Sequence, residues 1–118
     1  MPTDSVIDQE ELFSRLSGDV DLLREVIELF KEEYPPLLAD IEAALLQRDS
    51  VMLQNAAHSL KGAVAVFSAR KVYDAALRME MMGRNEDFTD DRKAFEDLKI
   101  GLSGLVRALH ALDLRKAS

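Results

Sequence analysis

Apolar residues recur along most of this chain at alternating spacings of three and four, the period of a helix with one buried face. The clearest stripe is Leu53, Ala57, Leu60, Val64 and Phe67. Upstream, Leu23, Ile27, Phe30 and Tyr34 form one row and Leu22, Val26 and Leu29 a second beside it, so a wide face of that helix is expected to be buried against two neighbours. Pro35 and Pro36 lack the N–H groups a helix needs and predict a kink, after which Leu37, Ile41, Ala44 and Leu45 resume the pattern. Val72, Ala76 and Met79 then face inward on a helix capped by Ser68 and ended by the turn M-M-G-R-N, with a polar loop from Gly83 to Asp87. Phe95, Leu98, Leu102, Leu105, Leu109 and Leu112 form the seam of a last helix starting at Thr89, Asp90 and Asp91.

Helix-start signals agree with this division. Asp8 is an N-cap with Glu11 three positions later, and Ile7 and Leu12 sit where a hydrophobic staple would place them; this first helix ends near Ser17 and Gly18, and Asp19 caps the next. The short link from Gln47 to Ser50 sets the following helix antiparallel and roughly levels His58 with Ala39 and Asp40, near Leu38. No stretch alternates polar and apolar residues as a strand does. The predicted architecture is all-α, an antiparallel four-helix bundle with a short additional N-terminal helix. Its expected limits are a tail over 1–7, the bundle over 8–115 and a tail over 116–118.

Composition narrows the function more than the fold. At 118 residues the chain is one domain with one core. It has no Cys and no Trp, which removes disulfides, thiolate chemistry and Cys-based zinc sites. No apolar run is long enough to span a membrane and the start resembles no signal peptide, so a cytoplasmic monomer is expected. A net charge of -7 opposes binding to a nucleic-acid backbone. There is no Gly-rich phosphate loop and no kinase motif, hence no expected nucleotide site, cofactor or metal.

One window departs from the acidic average. The 24 residues from Ser50 to Tyr73 contain Lys61, Arg70 and Lys71 but no Asp or Glu, where about 4.5 acids would follow from the chain's mean. Relative to the apolar stripe, His58 falls at about 140°, Lys61 at about 80° and Gly62 at about 180°. His58 therefore points to solvent, with a lysine and a glycine one turn on and only Ala65 two turns on. Gly62 costs about 1 kcal/mol relative to alanine in a helix, which calls for a packing reason or an access reason. A neutral imidazole is a good nucleophile near neutral pH, and an acid-poor window suits a phosphoryl group.

The run A-H-S-L-K-G at Ala57 to Gly62 resembles the signature of histidine phosphotransfer (HPt) domains of two-component phosphorelays. The acidic opening helix, Gly18 to Phe30, Ala43 to Asp49 and A-L-R-M-E at Ala76 to Glu80 are similar to the same family's layout, so the resemblance spans nearly the whole chain. It implies that His58 is the phosphoacceptor, Lys61 a nearby cation acting on the phosphate, and Gly62 the small residue that admits a receiver domain. It also implies receiver domains of response regulators or a hybrid histidine kinase as partners, with the Mg²⁺ on the receiver, and a phosphocarrier with no kinase activity of its own. The chain departs from the family at Val66, often polar there, and at Ser68, often glycine.

Two other functions compete. A helical adaptor would bind without being phosphorylated, and the phosphoaccepting domain of a chemotaxis-type kinase would take phosphate directly from a kinase domain. A hydrolase is disfavoured, because His58 has no acid or hydroxyl partner in the sequence pattern. His110 lies about 100° off the last seam and reads as a surface residue. Met79, Met81 and Met82 read as core filling.

Overall fold

A computed structural model describes residues 7–117, which form five helices: α1 (Gln9–Arg15), α2 (Val20–Gln47), α3 (Ser50–Ala65), α4 (Arg70–Arg84) and α5 (Asp91–Ala117). Four long antiparallel helices with α1 across one end are the expected architecture, and the described residues contain no strand. Most of the expected N-terminal tail lies outside the described residues. Ile7, assigned to it, is buried beside Leu12 and Leu16, and α5 runs past the boundary expected at 115.

The cap signals hold at three starts. Asp8, Asp19 and Asp49 each accept a hydrogen bond from the backbone N–H three residues on, at Glu11, Leu22 and Met52. Glu11 does not close a capping box. Its carboxylate instead accepts from Arg15 and from the Ser68 hydroxyl at 2.8 Å, while the Asp8 N–H donates to the Ser68 carbonyl. Arg15 also donates to the Ala65 carbonyl, so α1 is tied to the end of α3 by side chains as well as by Leu12.

Ser68 consequently does not cap α4. Its side chain is committed to Glu11, and the residue before α4 is Ala69, which makes no side-chain cap bond. The Ser68 backbone lies in the left-handed region at φ 54°, where glycine is least strained, so the serine departs from glycine at a position whose backbone favours it.

Helix α2 passes Pro35 and Pro36 unbroken. Leu23, Ile27, Phe30, Tyr34, Leu37, Ile41 and Ala44 keep the three-four register through the prolines, all buried or partly buried, so packing holds what the two missing hydrogen bonds would loosen. Phe30 stacks on Tyr34 and meets Phe67 edge to face, fastening α2 to the α3–α4 junction. The second row expected on α2 is buried only in part: Val26 packs partly buried against the core, but Leu22 is 38% exposed and Leu29 54%. Leu22 and Leu29 stay uncovered because α3 and α5 cover mainly the first row.

Three further expectations change. Gly83 is not in a loop but within α4, buried against α3. On α5 the seam is Ala94, Leu98, Leu102, Leu105, Leu109 and Leu112, with Phe95 displaced to a half-exposed position under the Lys99 ammonium. Met79 and Met82 are buried as core filling requires, whereas Met81 is 37% exposed.

Candidate functional site

The α3–α4 contact sets the site. Two helices can approach closely only where one side chain gives way, and Gly83 does so: a Cβ placed there would lie 2.6 Å from the Gln54 backbone nitrogen and 2.8 Å from the Ser50 carbonyl oxygen. One turn before Gly83, the same approach brings Glu80 of α4 under His58 and Lys61 of α3.

Glu80 is the one buried charged residue among the described residues, its side chain 4% exposed. Its Oε2 lies 2.9 Å from His58 Nδ1, its Oε1 lies 2.6 Å from Lys61 Nζ, and Arg84 Nη2 stands 3.5 Å from Oε2. The Lys61 ammonium, acting first, and then the His58 hydrogen bond hold the Glu80 carboxyl below its ordinary value, against the opposing push of burial. Glu80 is thus an anion at neutral pH. An ionised carboxylate only accepts hydrogen bonds, so the imidazole must carry its proton on Nδ1 to bond it. In the neutral ring this tautomer leaves the Nε2 lone pair free, on a side chain 67% exposed.

The sequence-predicted residues divide between the two sides of α3. His58 stands exposed on α3 as expected, and Lys61 meets it through Glu80. Lys61 is not on a solvated face: its side chain is only 18% exposed, drawn down by the carboxylate. Gly62 faces away, toward α2, and a Cβ there would meet nothing within 4 Å. No packing contact therefore calls for a glycine there. It lines an open groove with Ser59, Ala63, Leu29, Pro36 and Leu37. His110 is exposed on α5 and takes no part.

Glu80 and Arg84 were missed from sequence. The acid-free window led to an anion site without a carboxylate, yet one enters from the next helix. A signal existed: Glu80 follows the inward Ala76 by four residues and precedes Gly83 by three, so a carboxylate occupied an inward position of α4. The cluster still favours an anion, because Lys61 and Arg84 outnumber Glu80.

A family model described as Hpt domain matches residues 25–113, which include His58, Lys61, Gly62, Glu80 and Arg84 and leave out α1. No curated protein and no solved structure is found to match the chain.

Proposed function

This chain belongs to the Hpt domain family, the histidine phosphotransfer domains of phosphorelays, which carry phosphoryl groups and engage receiver domains of response regulators; from that premise we propose that His58 takes a phosphoryl group on Nε2 from a receiver aspartate and returns it to another. The lone pair of Nε2 attacks the phosphorus of the aspartyl phosphate, the N–P bond forms, the acyl P–O bond breaks, and the receiver's aspartate leaves as a carboxylate. No proton needs to move. The ring keeps its Nδ1 proton and gains positive charge as the bond forms.

Glu80 carries this reading. A carboxylate 2.9 Å from Nδ1 orients the ring, selects the tautomer that exposes Nε2, and offsets the charge developing on the ring during attack. Lys61 holds Glu80 in place and, with Arg84, supplies positive charge toward the bound phosphoryl group. Gly62 leaves room for the receiver beside the nucleophile. The Mg²⁺ of the reaction is assigned to the receiver, because the carboxylate at His58 is already held by Lys61 and by the imidazole.

Incubation with a phosphorylated receiver tests the proposal. The product should be one acid-labile, alkali-stable phosphate per chain, with the phosphorus coupled to Nε2 of His58 in NMR spectra. Absence of label with every receiver would leave the adaptor function, and label on Nδ1 would remove the role given to Glu80.

A further inference from the structure

The first helix is held differently from the other four. At seven residues α1 is too short to persist by itself, so its docking has to supply its stability. Leu12 and the flanking Ile7 and Leu16 are buried and cover one end of the core. Polar ties fasten the same helix to the junction between α3 and α4. The Asp8 N–H donates to the Ser68 carbonyl, the Ser68 hydroxyl donates to Glu11 Oε1 at 2.8 Å, and Arg15, which also holds Glu11, donates to the Ala65 carbonyl at 2.7 Å. Both ends of this contact are strained. Ser17, which leads with Gly18 from α1 into α2, and Ser68 lie in the left-handed region, at φ 55° and 54°, a conformation that disfavours a residue with a Cβ. The junction has little else to hold it: Ala69 gives α4 no side-chain cap, and Arg70 and Lys71 oppose the helix dipole in its first turn.

We infer that α1 is a strap that opens and closes as one unit on a folded bundle, swinging at Ser17 and Gly18 and fastened by the Ser68 hydroxyl to Glu11. A short element with few buried side chains opens at a lower free energy than the core it covers. Opening relaxes both serines, releases the Arg15 guanidinium and bares the apolar end of the core beside the last turn of α3. It leaves the phosphoryl site in place, because His58 stands about two turns before Ala65 on α3 and its partner Glu80 lies in the second half of α4. The surface at the end of α3 therefore changes between the two states while the chemistry at His58 does not. Glycine at position 68 would suit the backbone but could not fasten the strap, and that is what the serine adds.

Amide hydrogen exchange, read residue by residue by NMR on the whole chain and on its Ser68→Gly and Ser68→Ala variants, tests this. In the wild type the hydrogen-bonded amides of Asp8, Leu12 and Leu16 should share one opening constant, about 100-fold or more above that of Leu53 and Leu60 in α3. Both variants remove the clasp bond, so opening of α1 should rise about tenfold, the scale of one hydrogen bond to a carboxylate. Glycine also relieves the strain at position 68, so in Ser68→Gly the Leu53 and Leu60 amides should keep close to their wild-type rates. Labelling of His58 by phosphoramidate, a small donor that needs no partner protein, should match wild type in both variants. Exchange of the α1 amides at the rate of Leu53 and Leu60 would overturn the inference by making α1 a fixed part of the fold. Unrelated rates at Asp8, Leu12 and Leu16 would overturn it as fraying, and so would an α1 indifferent to both substitutions. A tenfold fall in phosphoramidate labelling would place His58 inside the moving unit and overturn it as well.

Discussion

On the α4 side of α3, a Cβ added at Gly83 meets the Gln54 backbone nitrogen at 2.6 Å; on the α2 side, one added at Gly62 meets nothing within 4 Å. Both glycines lie inside helices, where each costs about 1 kcal/mol against alanine, but the return differs. Gly83 allows two backbones to touch and so delivers Glu80 to His58. Gly62 leaves a surface bare. One flank of α3 is thus built for fixed geometry, with a buried carboxylate and short ion pairs, and the other for approach, with Leu29 exposed and Glu32 and Glu33 unpaired. A phosphocarrier needs both: a nucleophile held in one tautomer, and open space through which successive receivers reach it.

The largest expected effect falls where the two flanks meet. His58→Gln should abolish phosphoryl acceptance while changing stability by less than about 1 kcal/mol, since the side chain is 67% exposed and the glutamine amide can still donate to Glu80. Transfer from a phosphorylated receiver and urea unfolding check the two halves. Residual labelling would move the site away from His58.

Next comes the closed flank. Gly83→Ala should destabilise the fold by about 2 kcal/mol net or more, because the new methyl meets backbone atoms of α3 that have no rotamer to escape into, outweighing the gain in helix propensity. Chemical unfolding measures it. If α3 and α4 part slightly to admit the methyl, the His58 to Glu80 hydrogen bond lengthens and transfer falls as well. A variant as stable as wild type would mean that the close approach is not what holds the pair together.

The two flanks were not equally readable from sequence. Periodicity located the helices and placed His58 toward solvent, because a side chain at about 140° from the buried stripe has little choice. Gly62 could not be divided between packing and access without knowing which helix passes it. Lys61, at about 80°, lies on the margin of the buried stripe, where a buried carboxylate on a neighbouring helix decides the outcome. Glu80 illustrates the limit most clearly. Local charge counting over Ser50 to Tyr73 says nothing of α4, and only the antiparallel register that Gly83 permits puts the acid beneath His58. Leu22 and Leu29, in the second row of α2, stayed exposed for a related reason: amphipathic width predicts how much surface could be buried, not how many helices arrive to bury it.

A third prediction tests whether Lys61 belongs to the closed flank. Lys61→Met should cost about 1 to 3 kcal/mol, the range for losing a bond to a buried charged group, since it strips Glu80 of its shortest ion pair. Because the pair is shielded, the loss should persist in high salt. It should depend on pH with a definite sign. The folded Glu80 carboxyl is held below its ordinary value of 4.5, so its contribution is complete above that value and disappears as pH falls through the lowered folded value. Unfolding of wild type and variant along a descending pH series should therefore converge in acid. A difference that is constant with pH would tie the effect to packing of the lysine stem instead.

The smallest effect, and the one that separates the two glycines most directly, belongs to Gly62. Alanine there should stabilise the chain by up to about 1 kcal/mol, through helix propensity alone, since its Cβ meets no other atom. It should also accept phosphate at close to the wild-type rate, because a methyl reaches little farther than the helix surface. Glutamine should retain most of that stability, as an exposed helix-forming residue, yet slow transfer from receivers by tenfold or more, since its side chain projects across the path to His58 one turn away. Phosphoramidate labelling should be much less affected, the small donor needing no such path. Thermal unfolding and the two labelling rates, measured on Gly62→Ala and Gly62→Gln together, separate stability from access at one position. If glutamine slows neither donor, the space beside Gly62 is not the receiver's route; if alanine destabilises, Gly62 has a packing role like that of Gly83 and the contrast between the two flanks of α3 collapses.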